Sequence, residues 1–179
     1  MKTITESKLK QLIEAAIFVS QKPLSQQNIK QKLLADYKVT KQRIIAALDS
    51  LQADYKDHGI EFVKVASGYR FQAISSLSDD LSVLFKEKAP RYSRALLETL
   101  SLIAYRQPIT RGEIEQIRGV AVSSYIMKTL SERNWIKVVG HKEVPGKPAI
   151  YATTDEFLDY FSLSTITDLP ELMPLASSN

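Results

Sequence analysis

The side chains able to hold a metal ion or drive acid–base and nucleophilic chemistry are few in this sequence, and their spacing does not suit either task. Two histidines, His58 and His141, stand far apart, and cysteine is absent. That removes thiol catalysis, zinc–thiolate sites and disulfides. Neither histidine belongs to a His-x-x-x-His pair or a His–carboxylate motif. The six glycines are scattered singly, so no glycine-rich phosphate loop exists. Gly59 and Gly119 read as helix ends, Gly68 and Gly146 as turns and Gly140 as a strand end, whereas Gly112 has no evident local role. No serine sits in a nucleophile elbow, and most carboxylates fall on outward helix faces. The sequence predicts a protein with no catalytic centre, no metal and no cofactor.

What remains are residues suited to gripping another polymer. His141, Lys142 and Lys147 surround Pro145-Gly146-Lys147-Pro148, a loop stiffened by two prolines. It reads either as a well-made turn with incidental lysines or as a pre-ordered contact loop for a peptide or a phosphate backbone. Tyr151, Phe157, Tyr160, Phe161, Leu163, Ile166 and Leu169 exceed what a minimal core needs. They cover their own unit's open side or form a groove for an amphipathic helix. Near the start, the stripe containing Leu12 and Ala16, with Phe18 beside it, serves the core or a second subunit.

The elements that would carry these residues follow from periodicity. Leu9, Leu12, Ile13, Ala16, Ile17 and Val19 broadly keep the spacing of an amphipathic helix, stopped by Pro23. Ser25 caps a short helix with Ile29, Leu33 and Leu34. Thr40 caps a third, with Ile44, Ile45, Leu48, Leu51 and Tyr55 inward. Residues 60–66 and 69–74, rich in β-branched and aromatic side chains, form a hairpin about Ser67-Gly68. Three helices and a hairpin make a winged helix. A short helix with Leu81, Leu84 and Phe85 follows, then a boundary at Lys86-Glu87-Lys88-Ala89-Pro90.

The order then repeats. A helix spans 94–105, Pro108 stops it, and Thr110 with Glu113 forms a capping box for a helix carrying Ile114 and Ile117. A third helix spans about 123–133 with Ile126, Met127 and Leu130 inward. Strands at 135–139 and 149–153 flank the loop, and Thr153 to Glu156 opens a last helix as another capping box. Gln21-Lys22-Pro23-Leu24-Ser25-x-x-x-Ile29 aligns with Arg106-Gln107-Pro108-Ile109-Thr110-x-x-x-Ile114. The fold class predicted is mainly α with small β-hairpins (α+β): two tandem winged-helix domains, 1–89 and 90–165, and a tail, 166–179.

Charge separates the uses of such a fold. Lys and Arg number 24 against 20 Asp and Glu, for a net charge of +4, a mildly basic balance. Copy one's third helix offers Lys41, Gln42 and Arg43, then Asp49, Asp54 and Asp57. Copy two's offers Val122, Ser123, Ser124 and Tyr125, then Lys128, Glu132 and Arg133. Neither presents the dense positive face of a dedicated DNA reader, so a winged-helix transcriptional regulator is the second reading and a protein-binding module the first. The apolar run 13–19 is short and broken by Glu14, unlike a signal peptide, and no window reaches the length of a membrane span. A cytoplasmic protein is expected.

The second half resembles a known family. Leu100-Ser101-Leu102-Ile103-Ala104-Tyr105-Arg106-Gln107-Pro108-Ile109-Thr110-Arg111-Gly112-Glu113-Ile114-Glu115-Gln116-Ile117-Arg118-Gly119-Val120 is similar to the signature of bacterial segregation and condensation protein B. So are Val144-Pro145-Gly146-Lys147-Pro148, the run from Tyr151 to Phe161, and Asp168-Leu169-Pro170. The first half agrees in length and layout more than in residues. Lys147 stands where many relatives would carry Arg, keeping charge but losing bidentate geometry.

The resemblance implies a non-enzymatic homodimer formed largely through the N-terminal domains. It also implies a partner: the kleisin, segregation and condensation protein A (ScpA), and through it the SMC ATPase. The complex compacts and partitions the chromosome, so chromosomal DNA is met indirectly at the nucleoid, with no membrane or small-molecule substrate involved. Candidate partner contacts are Tyr105, Arg106, Arg118, Val144, Pro145, Gly146, Lys147, Pro148, Tyr151, Tyr160 and Phe161. Candidate dimer contacts are Leu12, Ala16 and Phe18.

Overall fold

A hydroxyl starts nearly every helix. Thr5, Ser25, Thr40, Ser93, Thr110, Ser123 and Thr154 each accept the backbone amide three residues on, at 3.1–3.4 Å. Each such cap satisfies an otherwise orphaned donor and contributes about 1 kcal/mol. The computed structural model describes residues 1–84 and 92–171.

In the first unit α1 (Glu6–Val19) turns Leu9, Ile13 and Ile17 inward at four-residue spacing. α2 (Gln26–Asn28) widens into a π-helical stretch, Ile29–Leu33. α3 (Lys41–Asp54) buries Ile44, Ala47, Leu48 and Leu51 against α1. β1 (Ile60–Val65) and β2 (Gly68–Ala73) pair antiparallel with Val65 opposite Gly68, so Ala66 and Ser67 form the turn. Phe62 and Tyr69 stack at 5.6 Å and close the core. A 3-10 turn, Ser75–Leu77, and α4 (Ser78–Ser82) follow.

In the second unit α5 (Arg94–Arg106) leads into β3 (Ile109–Thr110), α6 (Arg111–Arg118) and α7 (Ser124–Glu132). Then come β4 (Ile136–His141), β5 (Ala149–Thr153), α8 (Asp155–Tyr160) and a 3-10 turn, Ile166–Asp168. The sheet order is β3-β5-β4, with an irregularity between Val138 and Gly140. Leu96, Leu100, Ile103, Ile114, Val122, Leu130, Trp135 and Phe157 anchor a second core separate from the first.

The local repeat has a structural meaning. Leu24 bridges Tyr69 antiparallel, and Ile109 pairs with Tyr151. In both units the residue after the proline adds a rudimentary third strand, and the next residue caps a helix. Gly68 is forced by this contact. A Cβ there would lie 2.4 Å from the Leu24 carbonyl carbon, and its φ is +151°.

Several expectations need correction. Gly59 does not end α3, which stops at Asp54 with Tyr55 as C-cap; Gly59 instead leads into β1. Of the two isoleucines that α6 carries, only Ile114 is buried, and Ile117 is 54% exposed. The cap of α8 is Thr154 rather than a box opened at Thr153; Thr153 instead donates to Gln107 Oε1 through its backbone amide, 2.7 Å, and its hydroxyl, 3.0 Å. Packing on the second core also continues past residue 165, through Ile166 and Leu169. The Thr110–Glu113 box and Gly119, left-handed at φ +70°, stand as expected. Phe85 and the 86–90 boundary lie outside the described residues.

The halves touch at a defined place, where the β1–β2 turn meets the segment after α8. The Ala66 amide donates to Leu163 O at 3.0 Å, and Ser164 Oγ to Lys64 O at 2.9 Å. Arg70 Nη2 donates to Ser162 Oγ at 3.0 Å.

Candidate partner-binding groove

The outer side of α5 repeats Leu97, Ser101 and Tyr105 every four residues, beside the buried row Leu96, Leu100 and Ile103. Because the helix has 3.6 residues per turn, the two rows run side by side along it. Opposite them stand Phe157 and Phe161 from α8 and its end, and Leu163, Leu169 and Pro170 from the returning chain. Together they bound an open, largely apolar groove of about 400 Å³. A second cleft of about 440 Å³ adjoins it, lined by Gln107, Ile166, Thr167 and Glu171 and sharing Ala104, Tyr105, Leu169 and Pro170. Tyr105 stands between the two, its hydroxyl donating to Pro170 O at 2.6 Å.

Flanking α5 is a charged ridge. Glu98 accepts from Arg94 Nε at 2.8 Å and from Arg118 Nη2 at 3.2 Å, and these two cations hold its carboxyl below the usual range. The Arg118 side chain is only 10% exposed, and its Nε has no partner. Arg106 is exposed at the end of α5.

At the groove's other flank the ring of Trp135 meets Tyr92, Tyr160 and Phe161 with centroids 4.7–5.7 Å apart. The Arg133 guanidinium lies over the Tyr92 and Trp135 rings. Tyr160 is 51% and Phe161 41% exposed, and the Tyr92 hydroxyl beside it raises the Tyr160 phenol above its ordinary value.

The candidate residues therefore separate. Tyr105 and Phe161 share the groove, and Tyr160 belongs to the aromatic cluster beside it. Tyr151 is half-buried, pairing with Ile109 and Val138 and packing on the core. The wing stands apart. Val144 to Lys147 are exposed and Pro148 half-buried, with Gly146 and Lys147 at positive φ. Lys142 binds Glu113 at 2.6 Å, tying the loop to α6, and Lys147 approaches Glu143 at 3.9 Å. Glu113 is held down to about 2, first by Lys142 and then by the Thr110 amide and hydroxyl. In the first unit Leu12 and Ala16 are half-buried, and Phe18 is 72% exposed with its ring edge toward Phe71.

Sequence reasoning named the α8 side of the groove and, on the facing wall, Tyr105, but missed Leu97 and Ser101. The i, i+4 recurrence of Leu97, Ser101 and Tyr105 was the available signal, hidden by the stronger buried stripe. Among the described residues no group of three metal-ligating side chains occurs, and no helix is long and apolar enough to cross a membrane.

Two three-helix units, each closed by a β-wing, define a tandem winged-helix protein. The chain matches, over residues 11–172, the model of a family described as segregation and condensation complex subunit ScpB. It is 50% identical over 169 residues to a segregation and condensation protein B homolog from Coxiella burnetii, covering 94% of this chain and 81% of that protein. It therefore belongs to the segregation and condensation protein B family.

Among solved structures, ScpB from Mycobacterium tuberculosis is 28% identical with a TM-score of 0.41, over 89% of this chain and 98% of that one. A dimer of a ScpB N-terminal domain complexed with a ScpA peptide is 21% identical with a TM-score of 0.35, over 48% of this chain and 92% of that one.

Proposed function

We propose that this chain is a non-catalytic, dimeric adaptor that holds the kleisin ScpA and, through it, an SMC ATPase. It acts in the cytoplasm, at the nucleoid, during chromosome condensation and segregation. Residues 1–89 form the dimerisation domain, with Leu12, Ala16 and Phe18 at its contact. Residues 90–165 bind the kleisin, and 166–179 follow as a C-terminal segment whose first residues help to wall the groove. The SMC ATPase is the main link to DNA, and no small molecule is turned over.

One observation carries the reading: the apolar groove along α5, with the Arg118–Glu98 pair on the same helix's flank. Its shape and chemistry suit the apolar face of an amphipathic helix with charged flanks, a recurrent way for helical surfaces to hold a partner segment. Family membership, by its description as a complex subunit, supports a partner within that complex, and the choice of the kleisin rests on the resemblance of the second half. Co-expression with ScpA from the same genome, followed by native mass spectrometry, tests it. The expected species contains two copies of this chain and at least one ScpA; recovery of the two proteins only as separate masses rejects the proposal.

A further inference from the structure

The two winged helices differ in what their positive charges do. In the second unit all but three of the described cations, Arg106, Arg133 and Lys137, lie within 4.0 Å of a carboxylate, among them Arg111, Lys128, Lys142 and Lys147 on Glu115, Glu132, Glu113 and Glu143. In the first unit Lys30, Lys32, Lys38 and Lys41 are exposed, and among the described residues none has a carboxylate within that distance. Between Lys22 and Arg43 the sequence holds six basic residues and one acidic residue, Asp36.

The fold brings two of these lysines, Lys30 and Lys41, to one cleft and sets the others on the same helix-turn-helix. Lys30 and Lys32 lie on the π-helical stretch after α2, Lys38 just past the turn and the Tyr37 bridge that follow it, and Lys41 in the first turn of α3. Lys30 and Lys41 line one cleft of about 330 Å³ with Gln26 and Gln27. Lys2 joins them, since its carbonyl accepts the Lys38 amide at 2.9 Å and it bridges Tyr37. Glu6 does not discharge this surface, because it is committed to Arg43 at 2.6 Å. Asp49, exposed farther along α3, marks the patch's limit.

From this placement we propose that the helix-turn-helix of the first unit is a direct, sequence-independent contact for duplex nucleic acid, with Lys30, Lys32, Lys38 and Lys41 on phosphates. A helix-turn-helix meets a duplex with the start of its third helix and the turn before it, which is where these charges gather. Unpaired lysines release counterions on meeting phosphate, and that gain is lost to lysines already paired. The first wing does not join the contact, since its turn is held by the segment after α8. The mode is electrostatic, with little base reading. A stretched acidic polypeptide is the competing occupant; the meeting of Lys30 with Lys41 at the start of α3, where a helix-turn-helix faces its duplex, favours the duplex.

The test uses the full chain and a short labelled duplex of arbitrary sequence, followed by fluorescence anisotropy from low to physiological salt. The expected logarithmic salt slope is about −3 to −4, corresponding to roughly four neutralised phosphates. Lys30→Glu with Lys41→Glu should weaken binding about tenfold or more with unchanged circular dichroism. Lys30→Arg with Lys41→Arg should retain binding, and Lys56→Glu, beyond the far end of α3, should change it less than about twofold. The proposal is overturned if the wild-type chain binds no duplex at low salt, or if Lys56→Glu matches the double variant. Displacement of the duplex by polyglutamate at equal charge would assign the surface to an acidic polypeptide instead. Should the double variant unfold, charge reversal at Lys32 and Lys38 is read in the same way.

Discussion

The backbone amide of Ser67, at the tip of the first wing, donates to Asp159 Oδ1 of α8 at 3.0 Å, across 92 residues of sequence. The Ser67 hydroxyl donates to the other carboxylate oxygen. One carboxylate thus accepts from both donors of a single turn residue. With the Ala66–Leu163 and Ser164–Lys64 bonds it ties the first unit's wing to the segment around and after α8.

Asp159→Ala should release this contact without damaging either core, because Ser67 is exposed, Asp159 only half-buried, and neither belongs to a core cluster. The cost to global stability should be about 1 kcal/mol or less. The informative readout is small-angle scattering, where the radius of gyration should rise and the profile flatten toward that of two loosely tethered bodies. An unchanged profile would show that the remaining bonds suffice.

Gly68→Ala should be far more damaging than a surface change of one methyl group. The new Cβ would fall 2.4 Å from backbone atoms of Leu24, which cannot move without breaking the bridge to Tyr69. A loss above about 1 kcal/mol is expected. Urea unfolding of the variant measures it, with Gly112→Ala, where a Cβ meets nothing within 4 Å, expected to be neutral or stabilising.

Glu113 makes stability depend on pH in a predictable direction. Its carboxyl is lowered from 4.5 to about 2, so the folded state prefers the ionised form. The contribution is fully present above about 4.5 and is lost as pH falls through about 2. Because the side chain is 40% exposed, solvent screening keeps it below about 1 kcal/mol. Glu113→Gln should lower stability at neutral pH and flatten the acid limb across that window, as read by urea unfolding at stepped pH. An acid limb identical to the wild type would remove Glu113 from this role.

The sequence made the elements legible wherever local chemistry decides them. Thr40, Thr110 and Ser123 announce helices through hydroxyls at fixed offsets, and the alternation from Tyr69 to Ala73 announces a strand. The repeated Pro-apolar-hydroxyl unit announced a helix stop and a cap but not β3, whose role as a third strand emerges only when Ile109 meets Tyr151. Less legible was whatever depends on distant neighbours. Asp159 and Ser162 look like ordinary surface residues until the first wing arrives beside them. Arg118 reads as a free contact residue, yet Glu98, from the preceding helix, claims it. Lys142 and Lys147 resemble a basic wing until Glu113 and Glu143 are placed. The first unit's lysines reverse this: Asp49, Asp54 and Asp57 dilute them in sequence, but α3 carries those acids away from its start, and Asp54 pairs with Lys10.

The central claim is that the groove along α5 holds a helix of the kleisin. Calorimetric titration of ScpA into the wild-type chain and into Leu97→Asp tests it most directly. Leu97 is partly exposed, so the substitution should leave the melting temperature nearly unchanged. The buried acid should weaken binding by about 2 kcal/mol or more, a loss of roughly thirtyfold. Equal affinity of the two chains for ScpA would contradict the account.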